Sequence, residues 1–83
     1  MTEMSERPAE QIVDARVRGD MSCADLAMGA FDALAATSSY VLVSDHDPRG
    51  IRYMLQAERP GASSWDELES GPDVWRARIT RSA

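Results

Sequence analysis

The chain has 83 residues, 43% of them hydrophobic and 28% charged, with a formal net charge of −5. That length supports one domain with a single core and a modest margin of stability. The acidic balance argues against a general nucleic-acid binder, which needs a phosphate-neutralising surface, and no apolar run approaches the ~20 residues that span a bilayer.

Residues 1–10, "MTEMSERPAE", are polar, carry Pro8 and show no periodicity. They predict a disordered lead-in, with one domain over residues 11–83. The segment lacks the basic start and apolar middle of a signal peptide, so a cytoplasmic protein is expected. "IVDARV" (12–17) alternates, with Val13, Ala15 and Val17 on one side, and predicts a short strand broken by Arg18-Gly19-Asp20. Ser22-Cys23-Ala24-Asp25 has the form of a helix start: the Ser22 hydroxyl caps backbone N–H groups and Asp25 faces the positive end of the helix dipole. Leu26, Ala27, Ala30, Phe31 and Leu34 then share one helical face, which fades at "ATSS".

"SYVLVS" (39–44) is β-branched and aromatic with apolar groups on both sides, as expected of a strand in the sheet interior. Asp47 suits an N-cap and Pro48 a first helical residue. Ile51, Met54, Leu55 and Glu58 follow at helical spacing until Pro60-Gly61. The tail reads as a hairpin around Gly71-Pro72. In its second arm Trp75, Ala77 and Ile79 alternate with Arg76, Arg78 and Thr80, the arginines reading as a solvated face and edge protection. Trp65 and Leu68 differ by three, so both cannot face inward on a regular strand. A bulge, or a partly exposed Trp65, is expected.

The order β-α-β-α-β-β predicts an α+β two-layer sandwich. Right-handed crossovers place two helices on one face of a four-stranded mixed sheet. Its other face is left open to water or to a partner, with Ile12, Tyr40 and Leu42 expected there as an apolar patch.

The chain also resembles a known family. "FDAL" (31–34), "SDHDPRGIRYMLQAERPG" (44–61), "GPDVWRARITR" (71–81) and the aspartate of "VDAR" resemble a bacterial domain of unknown function, DUF2249, over about residues 11–81. That family looks distantly similar to the TusA/SirA sulfur carriers, small β-α-β-α-β-β sandwiches, and some relatives are fused to hemerythrin-like or other metal-associated domains. The resemblance implies the same fold and no established activity. The chain departs from both patterns. It has no Cys-Pro-x-Pro motif before the first helix, and Ala24 stands where family members often carry a His.

Ligands gather beyond the carboxyl ends of parallel strands, where helix N-termini point. The first strand leads to Ser22-Cys23 and the second to Asp45-His46-Asp47, so Cys23 and His46, the only histidine, are expected on one rim. The His46 imidazole and the Asp45 and Asp47 carboxylates are ligand types suited to a divalent ion such as Zn²⁺ or Fe²⁺. Adjacent residues point in different directions, however, so one chain supplies two or three ligands at best and a tight site calls for a dimer. Arg49 and Arg52, beside the second helix start, suit a phosphate, sulfate or carboxylate, or else pair with Asp45, Asp47 or Glu58 on the surface. Cys23 at a helix start is a nucleophile candidate with His46 as its base, but no motif supplies an oxyanion hole or orienting group. The two Trp residues read as packing rather than as a stacking platform.

The residue pattern therefore favours a small binding or adaptor domain. Its rim, Asp45-His46-Asp47-Pro48-Arg49, is expected to hold a metal ion, a small anion or a partner protein. The alternatives are a sulfur- or redox-transfer protein using Cys23 supported by His46, and an interaction module that dimerises through its sheet.

Overall fold

A computed structural model describes residues 10–82 except Arg18. It contains β1 (Gln11–Asp14), α1 (Cys23–Asp32), β2 (Ser39–Ser44), α2 (Arg49–Glu58), β3 (Ser63–Ser70) and β4 (Trp75–Arg81). The strands form one sheet in the order β1-β2-β4-β3. β1 runs parallel to β2, whereas β4 is antiparallel to both β2 and β3. The expected mixed sheet with two helices on one face is the architecture observed. Of the expected lead-in, residues 1–9 lie outside the described residues. Glu10 is tied to the sheet by Arg78 at 2.7 and 3.1 Å and by the Ser39 hydroxyl at 2.5 Å.

The core lies between helices and sheet. Ala27 and Phe31 from α1 and Ile51 and Leu55 from α2 close over Val13, Ala15, Tyr40, Leu42 and Ile79. Tyr40 and Leu42, both expected on the open face, instead point inward and are fully buried. The Tyr40 phenol donates to the Ala27 carbonyl at 2.8 Å, which satisfies the one polar atom that the ring takes inside. Burial pushes the Tyr40 phenol pKa up. Because β2 is apolar on both sides, alternation alone could not choose its inward face.

The open face therefore carries Val41 and Val43, opposite Arg78 and Arg76 in the β2–β4 ladder. Both valines are buried, although no helix of the described residues covers that side. Cross-strand neighbours share a face, and arginine stems lie along apolar surface while their charged heads stay wet. The heads are then held by ion pairs: Arg78 with Glu10 at 2.7 Å, Arg76 with Glu69 at 2.9 Å and Arg16 with Asp14 at 2.8 Å. β4 is an interior strand, so these arginines roof the open face and guard no edge.

Three local expectations shift. β1 stops at Asp14 rather than Val17, because the Asp14 carboxylate accepts the Arg16 backbone N–H at 3.0 Å and its carbonyl accepts that of Val17 at 3.2 Å, which turns the chain. Pro48 occupies the cap position of α2, one residue later than expected, yet the capping hydrogen bond still comes from Asp47, whose Oδ1 accepts the Arg49 N–H at 3.0 Å. In the hairpin the ladder slips between Glu67 and Glu69, as the Trp65–Leu68 spacing demanded. Trp65 thereby packs on the core and Leu68 faces water. Gly71 closes the hairpin at φ +73°, where a Cβ would lie 2.6 Å from the Trp75 ring.

Candidate functional site

β2 ends in a turn built on a buried hydroxyl. Ser44 is 1% exposed, donates to the His46 carbonyl and accepts the His46 N–H at 3.2 Å. This double contact grips the His46 backbone from inside and leaves the side chain outside. The imidazole Nδ1 lies 3.0 Å from Asp45 Oδ1, and the side chain is 56% exposed. An ionised carboxylate has only acceptors, so Nδ1 is the donor of this contact, and in the neutral ring that assigns the acceptor role to Nε2.

A cation also lies near Asp45. The guanidinium of Arg16, at the end of neighbouring β1, lies in the field of Asp45. Arg16 also binds Asp14 through its backbone N–H and both ends of its guanidinium. That hydrogen bonding holds the Asp14 carboxyl down to about 2. Asp14 lies in the field of Arg76 as well, and Arg76 is paired with Glu69. Charges of alternating sign thus run across the open face and finish at the Asp45–His46 pair.

The other expected site residues do not converge on one point. Asp47 caps Arg49 and holds its Nε at 2.9 Å, so its carboxylate is engaged beside α2. Among the described residues no group of three His, Cys, Asp or Glu side chains is placed to hold a metal ion. Arg49 is thus partly neutralised by Asp47, while Arg52 is exposed and has no ion pair among the described residues. Cys23 opens α1, half-buried against the core, with its thiol 4.0 Å from the Ala15 carbonyl. Ala15 in turn donates to the Val43 carbonyl at 2.7 Å, one residue before Ser44. Cys23 and His46 therefore belong to the same carboxyl-end rim, and no hydrogen bond joins them. Ser44 is the site residue that sequence reasoning missed. Its signal was a small polar residue closing an otherwise apolar strand just before the histidine.

The chain matches the family model described as "Uncharacterized conserved protein (DUF2249)" over residues 12–81. No curated protein and no solved structure matches it. The match spans nearly the whole chain, and the chain belongs to the DUF2249 family.

Proposed function

We propose that this DUF2249 chain is a small binding domain, not a catalyst, which offers His46 Nε2 as one preoriented ligand to a divalent ion such as Zn²⁺ or Fe²⁺, the remaining ligands coming from its partner. One observation carries this reading: the Asp45 carboxylate holds Nδ1 at 3.0 Å while the ring projects half-exposed into solvent. A carboxylate behind a histidine fixes its tautomer and raises its basicity, the arrangement metal-ligating imidazoles use. Asp45 would then act behind the ligand, and Asp47 would hold the helix start. A partner is required because this rim lacks the three or four protein ligands that a closed or catalytic zinc site takes. A bacterial, cytoplasmic adaptor related to the TusA-like sandwiches fits the same reading.

Zn²⁺ titration followed by the ring resonances of His46 tests it, since no other histidine confuses the spectrum. The expected result is a saturable shift of the ring signals, weakened in Asp45→Asn. Ring signals that stay fixed in excess Zn²⁺ would overturn the reading.

A second reading rests on the place of Cys23. The first residue of a helix is where a thiolate gains from the dipole, which supports sulfur or redox transfer. Its check is alkylation: Cys23 should react faster in the folded chain than in urea, and protection on folding would remove this reading.

A further inference from the structure

β1 and β3 are the two edges of the sheet, and they are defended differently. β3 carries Asp66, Glu67 and Glu69 and is kinked by the bulge at Leu68, the usual devices against unwanted pairing. β1 reads Gln-Ile-Val-Asp. Its only charge, Asp14, is already paired with Arg16.

Beside this edge, among the described residues, runs a groove of about 470 Å³ between β1 and α1, floored by Leu26, Gly29 and Ala30. Five large apolar residues are exposed among the described residues, and three of them line this groove: Ile12 at 65%, Val17 at 81% and Met21 at 49%. Such clustering marks a contact surface, whereas scattered exposed apolar residues would not. Among the described residues the charged groups lining it are both carboxylates, Asp14 and Asp25, and Asp25 has no cationic partner there. A second copy, with its own charge of −5, would bring like charge to this lining.

We propose that the β1 edge takes an extended, basic segment of another protein as a fifth strand. Its backbone would continue the sheet, alternate apolar side chains would cover Ile12 and Met21, and a Lys or Arg would meet Asp25. This surface does not involve His46, so it stands or falls independently of the metal reading.

The test titrates the folded chain with the amidated peptide Lys-Val-Thr-Val-Lys-Ile-Thr and with its counterpart carrying Glu for each Lys, followed by backbone amide shifts. Saturable shifts at residues 11–14 and 25–30, with affinity for the acidic peptide about tenfold weaker or less, are expected. Gly29→Leu, whose side chain enters open space on a helical backbone, should abolish binding while leaving the fold intact. Asp25→Asn should narrow the gap between the two peptides. Absence of binding, equal binding of both peptides, shifts mapping elsewhere, or a concentration-dependent dimer that buries this edge would each overturn the proposal.

Discussion

The two faces of the sheet bury the same kind of residue by different means. On one face, Tyr40, Leu42 and Ile79 are sealed by the apolar stripes of two helices. On the other, where no helix of the described residues lies, Val41 and Val43 sit opposite Arg78 and Arg76, whose heads are fixed by Glu10 and Glu69. The first face draws on the hydrophobic effect, which involves no charge for salt to screen or acid to remove. The second depends in part on ion pairs between exposed groups, which salt screens and acid removes. Paired arginines can thus help to cover a sheet face that no helix of the described residues reaches.

Substitutions can break that comparison. Leu55→Ala empties a fully buried position beneath α2 and should cost about 3 kcal/mol in urea unfolding, the same in low and high salt. Gly71→Ala should come next, at about 2 kcal/mol, because the new methyl meets the Trp75 ring and the left-handed backbone disfavours it. Ser44→Ala leaves the buried turn beneath His46 without its hydroxyl and should cost about 1–2 kcal/mol. The same variant should broaden the His46 ring signals, a readout that simple destabilisation of the fold would not single out.

The smallest effects belong to the open face and sharpen the contrast. Arg78→Ala should lower the melting temperature less than any core change, and the deficit should shrink in high salt. Acid should act there too. The Asp14 carboxyl is held at about 2 against an ordinary 3.8, and Glu10 is lowered by its hydrogen bonds with Arg78 and Ser39. Groups depressed on folding stabilise above their unfolded pKa and lose that contribution as pH falls through the folded one. Melting temperature should therefore decline as pH falls from above 4 toward 2, with a shallower slope in Asp14→Asn.

Much of this fold was legible in the residues. The Ser22 cap, whose hydroxyl accepts the Asp25 N–H at 3.0 Å, the helical stripe through Ala27 and Phe31, and the bulge forced by Trp65 and Leu68 each follow from local rules. The inward face of β2 did not, because Tyr40-Val41-Leu42-Val43 is apolar at every position and the partners that meet its inward side, such as the Ala27 carbonyl, come from other elements. The end of β1 was hidden for a similar reason. Its alternation continues to Val17, and what stops it is a side-chain bond from Asp14. At the rim, the residue pattern assigned Asp47 to the start of the second helix but did not show that Asp45 pairs with His46. Asp45 serves His46 and Asp47 serves Arg49, and only the turn held by Ser44 separates them.

The most direct test of the rim is the tautomer of the imidazole itself. Two-bond ¹⁵N–¹H correlation of the neutral ring should find Nδ1 protonated and Nε2 bare, with the preference weakened in Asp45→Asn. A proton resident on Nε2 in the unmodified protein would mean that Asp45 does not hold the ring, and the oriented ligand on which the account turns would not exist.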